Sequence, residues 1–80
     1  MNLQQAITVH DYIMDNDLLS EVERRTKEKW GGRGSRTSYY NGMAKTREGL
    51  PTGLIEQFML LEAQSLMVEH REQSLQMQAA

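Results

Sequence analysis

The sequence predicts an all-α protein of two or three short N-terminal helices and one long C-terminal helix. Three observations carry this. The stretch from Pro51 to Met77, PTGLIEQFMLLEAQSLMVEHREQSLQM, keeps helical apolar spacing without a breaker after Gly53. The segments before it are short amphipathic runs, punctuated by Asp15-Asn16-Asp17 and by a glycine-rich loop. Only Asn41-Gly42 gives a hairpin signal, and no other segment offers a strand to extend such a pair.

Residues 2–15 form the first helical segment, with two competing starts. Thr8-Val9-His10-Asp11 resembles a capping box with Ile7 and Tyr12 as its hydrophobic staple, while Asn2-Leu3-Gln4-Gln5 offers a cap further upstream. Either way Ile13 and Met14 fall on the buried side. Asp17 is then the expected N-cap of a second helix, Leu18 to Trp30, whose apolar side collects Leu18, Leu19, Val22, Trp30 and Thr26. Its other side pairs Glu21 with Arg25 and Glu23 with Lys27 in the favourable acid-first order, a solvated face in the first instance. Gly31-Gly32 supplies the C-cap.

Gly31 to Ser38, GGRGSRTS, reads as a mobile loop. Residues 36–47 can be a hairpin around Asn41-Gly42 or a third short helix. The helical reading, adopted here, starts at a Thr37 or Ser38 cap, pairs Tyr39 with Met43 and Tyr40 with Ala44, and stops at Gly49.

The long helix is expected to start at Pro51, with Thr52 as N-cap and Glu56 favoured near the positive end of the dipole. Leu54, Phe58, Leu61, Ser65, Val68 and Leu75 follow an a/d-like spacing that Glu72 interrupts. Ile55, Met59, Leu66 and Met67 fall outside that seam. The helix is therefore apolar on more than one side, and something must cover both. From Gln73 onward the apolar pattern thins to Leu75 and Met77, so fraying of the tail is expected.

Eighty residues make one domain with a marginal core. It divides into a helical pair at 1–30, a basic segment at 31–50 and an oligomerisation helix at 51–78. Without cysteine the chain has neither disulfide nor thiolate-zinc support, which leaves oligomerisation, and a homodimer is expected. The N-terminus lacks the basic and apolar regions of a signal peptide, and the apolar run at 54–68 is too short for a bilayer, so the expected location is the cytoplasm, with no membrane partner.

Charge is segregated beneath a net −2. Residues 1–23 carry Asp11, Asp15, Asp17, Glu21 and Glu23 with no base. Residues 24–47 carry Arg24, Arg25, Lys27, Lys29, Arg33, Arg36, Lys45 and Arg47 against Glu28. Residues 48–80 carry five glutamates against Arg71. The basic centre can meet nucleic acid, an acidic protein, or its own acidic flanks.

No catalytic, cofactor or metal site is expected. His10 and His70 lack an acid or nucleophile at motif spacing, Glu69 and His70 are adjacent and point apart, and GGRGS lacks the ending and context of a phosphate loop. The expectation is a small non-enzymatic regulator that sterically blocks or sequesters another macromolecule, a protein first. Inhibitors and adaptors of phages and mobile elements have this style. The expected self or partner interface is Leu54, Phe58, Leu61, Leu66 and Val68. Arg24, Lys27, Trp30, Arg33, Arg36, Tyr39, Tyr40, Lys45 and Arg47 are the expected polar and aromatic contacts. The alternative is a dimeric nucleic-acid-binding protein using 24–47, where cations surround stacking rings. The same rings can equally pack in the core.

Overall fold

The computed structural model describes residues 1–79. It contains four helices, α1 (Leu3–Asp15), α2 (Leu19–Lys29), α3 (Arg36–Arg47) and α4 (Leu54–Ala79). Helix α4 packs against each of the other three, and α1 also packs on α3. At 1.5 Å rise its 26 residues reach about 39 Å, which sets the longest dimension of a plate 42 × 29 × 16 Å. No helix among the described residues is long and apolar enough to cross a membrane.

Each short helix folds for a local reason and stops for another. Helix α1 uses the upstream start: the Gln5 N–H donates to the Asn2 side chain at 2.8 Å, and the Asn2 N–H to the Gln5 side chain at 3.0 Å. That reciprocal box places Thr8 inside the helix. Ala6, Val9 and Ile13, one or two turns apart, are its buried face.

At the far end the chain closes with Asp17 at φ 52, the Leu18 N–H donating to the Ile13 carbonyl at 2.9 Å. This C-terminal motif occupies Asp17, so it does not cap α2 as expected. Leu18 holds that position with no side-chain bond. The same closure recurs with glycine in the left-handed position. Gly31 precedes the bond from Gly32 N–H to the Lys27 carbonyl, and Gly49 the bond from Leu50 N–H to the Lys45 carbonyl.

Residues 36–47 are helix. Ser35 rather than Thr37 or Ser38 is the cap, accepting the Ser38 N–H at 3.2 Å. The hairpin alternative fails because Gly42 serves packing, not a turn: a Cβ there would stand 3.1 Å from the Glu56 Cβ, so glycine lets α3 approach the first turn of α4. Tyr39 and Met43 turn inward as one face, while Tyr40 and Ala44 face out. The loop before α3 is docked at its end, where a Cβ on Gly34 would meet Thr26 Cγ2 at 2.7 Å.

Helix α4 begins later than expected. The Gln57 N–H donates to the Gly53 carbonyl, and the Glu56 carboxylate reaches back to accept the Gly53 N–H at 2.6 Å. Gly53 is thus the cap, Glu56 supplies the reciprocal half of a box, and Thr52 stays outside. The core joins Met59, Leu60, Ala63, Leu66 and Met67 of α4 to Val9 and Ile13 of α1, Leu19 and Val22 of α2, and Tyr39 and Met43 of α3. The buried Thr26 hydroxyl donates to the Val22 carbonyl at 2.8 Å, and no buried side-chain N or O atom among the described residues is left without a partner.

Asp17 pays a conformational penalty that glycine would avoid, and its side chain caps nothing. Asp17→Gly should therefore stabilise the fold by about 0.5–1 kcal/mol, read as a higher urea midpoint at unchanged slope. A lower midpoint would show that the aspartate supports the α1–α2 corner.

Candidate functional site

The surface that folding does not use lies on the outer side of α4. A residue advances 100° around a helix, so the seventh returns within about 20° of the first. Met59, Leu60, Ala63, Leu66 and Met67 share the inward side. Leu54, Leu61, Val68 and Leu75 share the opposite one, 63, 52, 47 and 64 % exposed. Phe58, Ser65 and Glu72 run beside them. A shallow groove follows this face, lined by Leu61, Gln64, Ser65, Val68, Glu69 and Glu72.

The stripe widens at its N-terminal end. Trp30, half-exposed at the end of α2, stacks flat on Phe58 with ring centroids 3.8 Å apart and planes 4° from parallel. On the other side Met1, Leu50 and Pro51 border the same hollow as Leu61. An aromatic pair and aliphatic neighbours in partial exposure are the composition of an interaction anchor.

The structure therefore brings Leu54, Phe58, Leu61, Val68 and Trp30 onto one side. Leu66 is corrected: it is 4 % exposed and belongs to the core. Tyr39 is corrected likewise, fully buried with its hydroxyl 3.0 Å from His10 Nδ1 and its ionisation pushed up by burial. Tyr40 remains exposed, near Met14. Leu75, Leu50 and Met1 join the outer surface beyond the expected set. Leu75 was legible from its seven-residue step after Val68; the other two depend on how the loop and N-terminus fold back.

The basic segment is largely answered within the chain. Arg25 forks onto Glu69 at 2.9 and 3.0 Å and also meets Glu21. Lys29 lies 2.8 Å from the buried Glu62, and Lys45 2.8 Å from Glu56. These three pairs tie the cationic middle to α4. Arg24 meets Glu21 and Glu28, and Lys27 lies 3.7 Å from Glu23. Both i,i+4 pairs expected on α2 are present. Arg33, Arg36 and Arg47 have no carboxylate within ion-pair distance among the described residues. The Arg36 guanidinium instead donates to Ser20.

Sequence reasoning missed the partners of both histidines, since tyrosine at a distance of one helix carries no spacing signal. His10 meets Tyr39, and the Tyr12 hydroxyl lies 2.6 Å from His70 Nδ1, pinning α1 to α3 and to α4. These contacts satisfy polar atoms at helix crossings.

The ion pairs set an acid limit on stability. Hydrogen bonds from Arg24 and Arg25 hold Glu21 at about 2 against an ordinary 4.5. Arg25 lowers Glu69; Lys45, then the Gly53 N–H, lowers Glu56. Such carboxylates stabilise the fold above their unfolded pKa and lose that contribution as pH falls through the folded one. His10 is lowered from 6.5 by burial and then by Arg47, against an opposing pull from Asp11. Its unfolded imidazole protonates first, so its contribution also declines as pH drops. Thermal midpoints should thus begin to fall below about pH 6.5 and fall further, by a modest amount for pairs this exposed, from about 4.5 toward 2. Glu69→Gln should flatten part of the lower limb; a midpoint indifferent to pH across this span would contradict the pairing.

Comparison with protein-family models, with curated proteins and with solved structures finds no match to this chain.

Proposed function

We propose that this protein is a non-enzymatic regulator that works in the cytoplasm as a homodimer and occupies the surface of another protein. One observation carries the reading: Leu54, Leu61, Val68 and Leu75 form an exposed line on the side of α4 opposite the core. Single exposed leucines are ordinary, but a line of them on one helix is the pattern of a helix-to-helix or helix-in-groove contact. The Trp30–Phe58 stack gives that line a large aromatic anchor.

Nucleic-acid binding is the second reading, and Arg33, Arg36 and Arg47, without a carboxylate partner among the described residues, favour it. The pairing of Arg24, Arg25, Lys27, Lys29 and Lys45 with glutamates weakens it, because each would have to leave a carboxylate to meet phosphate. The protein target therefore stands first.

The test uses tagged protein incubated with matched lysate, with and without nuclease, beside two variants. Leu61→Asp lies on the exposed line and should leave the circular dichroism spectrum intact while abolishing a nuclease-resistant, stoichiometric protein partner. Leu66→Asp places an unpaired carboxylate in the core and should unfold the chain. Equal capture of the partner by the folded Leu61→Asp variant would refute the outer face as the contact. Recovery of nucleic acid that Arg33→Ala and Arg36→Ala each weaken, with a shallower dependence on salt, would select the second reading.

A further inference from the structure

We infer that the outer face of α4 is closed by a second copy of this chain, lying antiparallel and crossing at Ser65. The inference rests on the reading of this face as an interface and names a second copy as its occupant, with which a target protein would compete. Three observations converge on it.

The first is the symmetry of the line. Ser65 sits near its midpoint, with Leu61 and Val68 one step out and Leu54 and Leu75 at the ends. A two-fold axis near Ser65 sets Leu61 of one copy against Val68 of the other and Leu54 against Leu75. The small serine at the crossing lets the backbones approach.

The second is charge. Parallel helices in register would set Glu72 against Glu72 in the seam. The antiparallel order carries each Glu72 to the Phe58–Trp30 end of the other copy, where Arg33 follows Trp30 and has no carboxylate partner among the described residues. On the α2 side this order also brings Glu62 near Glu69 of the other copy. Both are already neutralised, by Lys29 and Arg25, so two ion pairs lie side by side instead of two bare carboxylates.

The third is area. The line from Leu54 to Leu75 spans about 32 Å, and at a width of about 10 Å offers roughly 320 Å², short of the about 800 Å² per partner of a stable dimer. Trp30, Leu50 and Met1 widen the face at one end of α4 only. Antiparallel order puts one widened end at each end of the interface, so that each covers the narrow end of the other copy.

Because the chain has no cysteine, introduced thiols report on the pairing without background. Leu54→Cys and Leu75→Cys, both at exposed positions, are prepared separately with tags of different mass, mixed and mildly oxidised, and the purified wild type is weighed by light scattering across micromolar to submillimolar concentrations. The expected result is a mass rising from 9.2 kDa toward twice that value, and a disulfide that joins one variant to the other. Neither variant should cross-link to itself, since about 32 Å would separate like positions against the roughly 7 Å a disulfide spans. Leu61→Asp should raise the dimer dissociation constant by at least about 30-fold. A monomeric mass throughout would overturn the second copy as occupant, and the homodimer of the proposed function with it, and leave only the protein target of that reading standing. Cross-linking of each variant to itself alone would overturn the antiparallel order.

Discussion

Everything in this fold depends on α4 having to be the inner wall for three short helices at once. Helices α1 and α3 lean on each other, but α2 is held chiefly by α4. Three helices of 13, 11 and 12 residues do not surround one of 26, so they cover one side and stop. The plate is 16 Å thin because there is no second layer of helices beyond α4. The exposed outer face is thus a geometric consequence of chain length. Its apolar composition is not, because folding would be as well served by glutamate or lysine at those positions.

The same constraint explains the charge pattern. Helix α2 buries little more than Leu19, Val22 and Thr26, and its place on α4 is also marked by Arg25 on Glu69 and Lys29 on Glu62. An exposed pair contributes between nothing and about 1 kcal/mol, so the Arg24 pairs do little for the fold. The Glu62 carboxylate is different, since its side chain is only 10 % exposed and Lys29 is what balances it. Removing the lysine would strand a buried charge, which is more damaging than the pair itself is stabilising. Lys45 with Glu56 does the same service at the α3–α4 corner, where that carboxylate also caps α4 through Gly53.

The fold class, the two-sided helix and the α2 charge pairs were legible because each is a periodic or short-range signal. The a/d seam separated correctly from Met59, Leu66 and Met67, which periodicity alone assigns to another side. Leu66 was placed on the interface because large apolar residues on a helix apolar all round look alike until a neighbour chooses one face. Asp17 misled for a different reason: it stands in the middle of the three residues between two helices, and either the closing of α1 or the opening of α2 could claim it. Gly42 was ambiguous because glycine permits both a turn and close approach, and only the arrival of Glu56 decides between them. The tyrosine partners of the histidines were invisible, being set by helix crossing and not by spacing.

What distinguishes the outer face from the rest of the surface is that its order has no explanation within one chain. Trp30 is instructive. It caps α2 at the head of a glycine turn, a place where any residue would do, yet it lies flat on Phe58 at the wide end of the stripe. A flat, half-exposed aromatic stack buries each ring on one side and leaves an apolar platform on the other. In a lone chain that platform is a liability for solubility, and a polar residue at position 30 would remove it at little loss of packing. In an assembly it is an anchor whose area is set in place before the partner arrives, so that little side-chain freedom is left to lose on binding. The basic residues bear on which partner the platform would suit: Arg24, Lys29 and Lys45 already hold glutamates, which would favour a protein face over a phosphate backbone, while Arg33, just after Trp30, has no carboxylate partner among the described residues.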